Sequence, residues 1–406
     1  MTYLSYMGTK VALADDIGRE LASLSAGSLL DLFSGMSAIG RAVAGSRNVW
    51  INDTQAFSQI VGEFQFLSGD CCKSPTVYFR KVLRAFRRHF ESVSREYRKE
   101  LQFETDVLRS NNWIALTDLE ARLLSRLPPI DKQADPKWKK GLMPYRLFVG
   151  IYAGTYFGLS QCIEIDALRC AIDEVAPTCR PEMRSVRLWM LVALGAALAR
   201  CSNSTGHFAQ YLSCSESNSH RVLAKRRRSI AEEWVKRLRL VAPVGDPEWR
   251  SGNKAFGRDA CELLADQSVD LSKLAVIYAD PPYTDDQYSR FYHLLDTMVL
   301  YDFPVVSGKG RYRADRFVSD WSSKKHVETC FSSLISGASK VGSALAISYP
   351  DNGLLEKSSE RLPEMLSGHY KNVRIVSKFN HHHSTMGASH GVQKLKVSEQ
   401  LFVAHN

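Results

Sequence analysis

The sequence predicts an α/β protein: a doubly wound sheet interrupted by a mainly helical insertion. Three observations carry this. Apolar strand-like runs, each passing through turn residues into helical periodicity, stand at both ends of the chain. The middle, residues 70–250, is helical in pattern and rich in bases, and the acidic residues Asp31, Asp53, Asp259 and Asp280 fall where strands run out. The expected division is therefore 1–69 with 251–406 for the sheet and 70–250 for the insertion.

In order along the chain, the stretch from Val11 to Leu24 has helical spacing, SLLDLFSG runs an apolar strand into a glycine turn, and NVWIND supplies a second strand, which together make a βαβ unit. KVLRAFRRHFESVSREYRKE and AKRRRSIAEEWVKRLRL belong to the helical middle. The longest apolar run, Leu188 to Ala199, lies between Arg187 and Arg200; it is too short to span a bilayer and reads as a buried helix. After GDPEWRSGNK, a linker in composition, the strand–turn pattern resumes in KAFGRDACELL, LAVIYADPPY and ALAISYPDNG, with VRIVSKF and SEQLFVAH as an antiparallel edge pair.

The 406 residues are 45% hydrophobic and 24% charged, values that suit a soluble globular protein with a substantial core. A formal net charge of +10 and a pI near 9.1 call for an acidic partner, nucleic acid first, with plain solubility as the alternative. Nine cysteines without a CxxC pair suggest neither a disulfide framework nor a zinc ribbon and fit a reducing cytoplasm. No signal-peptide pattern is read at the N-terminus and no membrane partner is expected.

DLFSGMSAIG places Asp31 and Gly35 at the end of the first strand. A carboxylate there disfavours phosphate and suits a cationic or hydroxyl-bearing ligand, and the loop lacks both the GxGxxG of dinucleotide folds and the GK[ST] of a P-loop. Asp53 ends the second strand about 20 residues on, where a carboxylate can accept bonds from ribose hydroxyls, or cap the helix that follows. The sum is a nucleoside ligand without phosphates, and S-adenosylmethionine (AdoMet) is the obvious one.

DPPY supplies the chemistry. An exocyclic aromatic amine is a poor nucleophile because its lone pair is delocalised. Acceptors at the Asp280 carboxylate and the Pro281 carbonyl would favour a pyramidal nitrogen and stabilise its growing positive charge; Pro281 and Pro282 stiffen the turn, and Tyr283 can stack on the base.

These residues resemble the DNA N6-adenine methyltransferases of the Dam-type, alpha arrangement, in which an AdoMet motif, a helical target-recognition insertion and DPPY follow in that order. YMGTK, Tyr6 to Lys10, resembles the family's N-terminal motif, whose aromatic residue and lysine line the pocket. Phe33 to Gly35 resembles its glycine loop, Asn52 to Thr54 its ribose carboxylate, and Arg258 to Ala260 the acidic residue, here Asp259, that holds the AdoMet adenine. Ser37 stands where the family more often has a second glycine. TYFGLSQCIEIDALR and NSTGHFAQYL are similar to stretches of a larger subgroup.

The resemblance implies a Rossmann-like AdoMet-dependent methyltransferase sheet with an inserted helical DNA-recognition domain, and site-specific methylation of an adenine flipped out of duplex DNA. RNA adenine, cytosine N4 or a protein amide as acceptor, and a non-catalytic DNA-binding subunit, are the alternatives. A cognate restriction endonuclease or defence protein as partner is left open.

For DNA contact the candidates are Tyr288, Arg290 and Tyr292, within TDDQYSRFYHLLD, against an amphipathic helix with Phe291, Leu294 and Leu295 in the core. Lys309, Arg311 and Arg313, in GKGRYRADR, suit a loop that enters a groove, and Arg84, Arg87, Arg88 and Lys225 to Arg228 are electrostatic candidates. HHHS, His381 to Ser384, cannot aim three neighbouring histidines at one ion and is read as a polar loop before SEQLFVAH, with DNA contact as the functional alternative; no metal is expected.

Overall fold

The computed structural model describes residues 10–69, 75–384 and 394–406. The chain forms two compact units: an α/β unit from the segment through Leu67, Val244–Tyr288 and Phe317–Asn406, and a helical unit from Ser68–Pro243 and Ser289–Arg316.

The strands, in chain order, are β1 (Ser28–Asp31), β2 (Val49–Asn52), β3 (Lys254–Phe256), β4 (Leu274–Ala279), β5 (Val306–Ser307), β6 (Tyr312–Arg313), β7 (Ala344–Pro350), β8 (Asn372–Ser384) and β9 (Lys394–His405). β5 and β6 pair antiparallel in the helical unit; the other seven form one mixed sheet in the order β3-β2-β1-β4-β7-β9-β8. Its first five strands are mutually parallel, and β9 runs antiparallel to both β7 and β8.

Side-chain alternation sends Leu29, Val49, Ile51, Val276 and Val403 to one face, where Ile17, Leu21, Ile39 and Val43 cover them. Leu30, Trp50, Ile277, Leu345 and Phe402 go to the other face, under Leu263, Phe331, Leu334 and Leu362. Because both faces are covered, the central strands read as continuous apolar runs, which is why LAVIYA was legible. The helix Ala14–Ala22 buries Ala14, Ile17, Gly18 and Leu21, a single stripe at i, i+3, i+4 and i+7. A Cβ on Gly18 would come within 3.0 Å of the Ala42 Cβ, so the glycine lets the helix Ala38–Val43 approach.

The terminal pair forms the expected antiparallel edge of the sheet, with β8 outermost. β9 is interior, between β7 and β8, and both strands outrun VRIVSKF and SEQLFVAH. His381, His382 and His383 are strand residues paired with Val397, Lys396 and Leu395, so HHHS is no loop: ladder hydrogen bonds extend the strand regardless of side-chain polarity.

The helical unit is built around the helices Leu159–Val175 and Arg184–Cys201, the latter buried nearly all round from Leu188 to Leu198, as its apolar run requires. Among the described residues no helix is long and apolar enough to cross a membrane. Ser289–Arg316 also belongs here, against the expected boundary at 250/251. The reason lies in its apolar and backbone complement: Leu294, Leu295 and Met298 are buried, the Phe208 N–H donates to the Phe291 carbonyl at 2.8 Å, and His293 Nε2 lies 3.0 Å from the Phe208 carbonyl oxygen.

Buried carboxylates cap helix starts within this unit. Glu104 accepts from Leu159 N (2.8 Å) and Ser160 N (2.9 Å), and Asp166 accepts from Phe148 N (2.9 Å) and Val149 N (3.0 Å). Arg226 and Glu120 form a buried pair, their side chains 1% and 9% exposed, with the guanidinium also donating to the Thr155 carbonyl at 2.7 Å. Removing one member leaves the other charge stranded. Arg226→Ala should destabilise the protein by about 3 kcal/mol in denaturant unfolding, whereas Lys236→Ala, at an exposed pair, should cost less than about 1 kcal/mol.

Candidate functional site

In the α/β unit, β1 and β4 are neighbours at the point where strand order turns, because the chain goes outward through β2 and β3 on one side and through β7 on the other. Sheets of this kind bind ligands beyond the carboxyl ends at that point. Asp31 closes β1, Asp53 follows β2, and Asp280 follows β4.

The turn after β1 is held from β2. Gly35 has φ 48°, in the left-handed region that favours glycine, and its N–H donates to Asp53 Oδ2 at 2.8 Å. Asp53 Oδ1 takes the Gln55 N–H at 2.8 Å, at the start of the helix Ala56–Leu67, so the capping alternative is realised in part. Ser37 is left-handed too, at φ 59° and ψ 40°, the conformation that makes a glycine the easier residue at this position. Among the described residues, the buried hydroxyls of Ser34, Ser37 and Ser58 and the side-chain oxygen of Gln55 have no hydrogen-bond partner. A ligand bearing hydroxyl and amine groups suits such a row.

Asn52 ties neighbouring strand ends. Its amide nitrogen donates to the Leu32 and Arg258 carbonyls at 3.1 and 3.0 Å, and its oxygen accepts from Arg258 N at 3.1 Å. Asp259 then caps the helix Ala260–Ala265, accepting from Cys261 N at 2.8 Å and Glu262 N at 3.3 Å. Ala260 is packed in the apolar core, and Phe33 stands edge-on to Trp321 with ring centroids 5.1 Å apart. Tyr6 lies outside the described residues.

Lys10 is buried at 5% exposure, and its ammonium lies 2.9 Å from Asp280 Oδ1 and 2.7 Å from Glu399 Oε1. It also sits 5.9 Å from the centre of the Tyr283 ring. The Asp280 side chain remains 17% exposed, so it is not turned into the interior, and among the described residues Oδ2 has no hydrogen-bond partner. Pro281 is buried, Pro282 half-buried, and the Tyr283 carbonyl accepts from Leu354 N at 3.2 Å, which anchors the stiff turn.

Glu399 was missed in the sequence, although a signal exists. In β9 it shares a face with Leu401 and Val403, where a carboxylate is out of place unless paired.

The site is acidic. Burial, then the neighbouring Asp280 charge, pushes the Asp31 carboxyl up to about 8; burial raises Asp53 to about 6 against the N–H groups of Gln55 and Gly35. Burial also raises Asp280, opposed by Lys10 and assisted by Glu399. For Lys10 burial acts downward, but the Asp280 and Glu399 charges outweigh it and hold the ammonium firmly protonated. One lysine against four carboxyl groups favours a cationic ligand and opposes a phosphate.

The DNA-contact candidates fare unevenly. Tyr288 begins the helix Tyr288–Leu300. Tyr292 is 2% exposed and belongs to the core, as does Phe291, whose ring lies 4.9 Å from His207; burial removes both from contact with DNA. Arg311 is buried, with its guanidinium on the Ile151 and Leu124 carbonyls, and Arg313 is buried in a bidentate pair with Asp302, both bonds 2.6 Å, and on Asp315 at 2.8 Å. These two arginines staple the helical unit: the Arg313 charge is matched by Asp302 and Asp315, and the Arg311 donors are taken up by backbone carbonyls. Lys225 and Arg228 likewise donate to the Arg200 carbonyl, at 2.8 and 3.1 Å, and Arg88 pairs with Glu174. Lys309 is exposed, and Arg290 lies 5.3 Å from the centre of the Tyr312 ring.

No protein-family model matches the chain. In sequence it is similar to modification methylase LlaI of Lactococcus lactis subsp. lactis, 22% identical over 323 residues that cover 79% of this chain and 42% of that protein. It is 35% identical over 187 residues to Type II methyltransferase M.FokI of Planomicrobium okeanokoites, covering 45% of this chain and 24% of the relative. Type II methyltransferase M.NlaIII of Neisseria lactamica is 23% identical over 365 residues, 88% of this chain and 86% of the relative. The chain thus spans less than half the length of the first two and most of the third.

The raised Asp31 carboxyl gives a pH test. Its folded pKa lies above the unfolded value, so its favourable contribution is complete below about pH 4 and is lost as pH rises through about 8. Asp31→Asn, without ligand, should therefore melt higher than wild type at pH 8, with the difference shrinking toward pH 4 in thermal unfolding.

Proposed function

We propose that the chain is an AdoMet-dependent DNA methyltransferase that acts on the N6 amine of adenine. The observation that carries the reading is Asp280, at the end of β4, with one carboxylate oxygen held by Lys10 and the other without a partner among the described residues, followed directly by Pro281, Pro282 and Tyr283. The similarity to methylases along most of the chain supports methyl transfer, and the mixed, mainly parallel sheet is consistent with it.

When bound, AdoMet supplies a methyl group activated by its sulfonium charge. Gly35, Asp53 and the unpartnered Ser34, Ser37, Gln55 and Ser58 side chains would hold its nucleoside part, and the acidic set around Asp31 suits the cation. Asp280 Oδ2 would accept a hydrogen bond from the target amine and stabilise the positive charge that develops on that nitrogen as the methyl carbon leaves sulfur for it, an interaction stronger in the transition state than in the ground state; the surplus proton would then pass to solvent. Tyr283, fixed beside Lys10, gives the base a face to lie on. The target must leave the duplex to reach this point, at a cost of a few kcal/mol.

Duplex DNA as substrate rests on the methylase relatives and on the net charge of +10. Asp280→Ala should reduce methyl transfer by at least about a thousandfold while AdoMet and DNA binding stay within about tenfold, as read by labelled-AdoMet transfer and equilibrium binding. Sequencing DNA from cells expressing the protein, with modified-base detection, should reveal N6-methyladenine at a defined site. N4-methylcytosine, or transfer to RNA alone, would replace the adenine-DNA assignment, and failure to bind AdoMet would end the enzymatic one.

A further inference from the structure

Glu399 has no part in the reading so far, yet it is among the most completely buried carboxylates of the α/β unit, at 1% exposure. Its oxygens serve Lys10, at 2.7 Å, and the Ser348 hydroxyl. The lysine could have been matched by Asp280 alone. A neutral residue in the row of Leu401 and Val403 would also pack without the cost of desolvating a charge. The second carboxylate therefore wants a reason beyond packing.

We infer that Glu399 is a positioning residue for the amine acceptor, holding the Lys10 ammonium between two carboxylates so that one oxygen of Asp280 is fixed while the other keeps net negative charge. The inference rests on the proposed amino-methyltransferase reading. A lysine–aspartate pair is neutral as a whole and offers little to a nitrogen that becomes positive. With Asp280 and Glu399 both ionised the buried cluster has one net negative charge, and in a site of low dielectric that charge acts at the reacting nitrogen. The geometry agrees: Nζ is pinned at 2.7 Å by Glu399 from β9 and at 2.9 Å by Asp280 Oδ1 from the end of β4, while the Asp280 side chain keeps 17% exposure.

Among the described residues, the charged and titratable groups around the cluster come from several elements, with Asp53 and Arg41 acting on Asp31 from beside it. Lys10 comes from the turn before the first helix, Tyr278 and Asp280 from β4, Tyr283 from the proline turn, Asp31 from β1 and Glu399 from β9. Tyr278 and Tyr283 are held neutral, since burial raises both phenols. Glu399 raises Asp280 and Lys10 lowers it. Removing the Glu399 charge should then do two things that mere loosening of the fold would not combine. It weakens the acceptor and so slows the reaction, and it lets Asp280 ionise at lower pH.

The test compares wild type, Glu399→Gln, Glu399→Asp and Asp280→Ala in transfer from labelled AdoMet to unmethylated genomic DNA between about pH 5 and 9. Glu399→Gln should lose about tenfold or more in plateau kcat with KM for DNA within about twofold, and its acid limb should move down by about half a pH unit or more. Glu399→Asp, which keeps the charge, should recover much of the rate. A Glu399→Gln enzyme with the wild-type plateau, or a slower one whose acid limb stays in place, overturns the inference. Carbon-13 NMR titration of the aspartate carboxyls gives a readout that needs no turnover: Asp280 must titrate lower in Glu399→Gln, and an unchanged titration refutes the positioning role. Normal turnover by Asp280→Ala overturns the methyltransferase reading instead, and an active wild type indifferent to Glu399→Gln overturns the positioning role alone.

Discussion

A sheet covered on both faces has few outlets for polar side chains. Along β1, β2 and β4 the inward positions ahead of the strand ends are taken by Leu, Val, Ile, Trp, Tyr or Ala, so charge emerges where the strands stop, at Asp31, Asp53 and Asp280. The same constraint makes Lys10 consequential. A buried ammonium must be matched, and the groups that match it, Asp280 and Glu399, are thereby oriented. Packing thus dictates where the candidate chemistry can sit, and one lysine dictates how its carboxylates point.

Much of this was legible in the sequence because the relevant signals are local. The strands of the parallel part show as unbroken apolar runs, and the residues that close them are short breaks in those runs. Gly35 and Asp53 were each legible as the close of a strand, but the 2.8 Å hydrogen bond that ties one to the other was not, because Asp53 was read toward a ribose or the helix that follows it. Glu399 was not legible as part of the same cluster. Its partner lies near the opposite end of the sequence, and only the pairing of β9 with β7 brings the two together. Nor could the interior position of β9 be read from strand propensity, which says where a strand is and not which neighbours it takes.

The basic residues teach a different lesson. A run such as KRRR looks like an electrostatic surface when read in one dimension, yet Arg226 is buried on Glu120, and Lys225 and Arg228 close off the carbonyl of Arg200. Arg311 and Arg313 are likewise spent on carbonyls and on Asp302 and Asp315. Arginine has a rigid fork of donors that suits this work as well as it suits phosphate, and the sequence does not announce which use is made of it. Net charge survives as an argument for an acidic partner; the identity of the contacting residues does not follow from it.

The interior place of β9 has a consequence for synthesis. While residues 394–405 are still to come, β7 has an open, apolar edge of the kind that recruits stray strands, and Lys10 has a single counter-charge available to it. β9 therefore does two jobs at once, sealing a sticky border and finishing an ionic cluster begun hundreds of residues earlier.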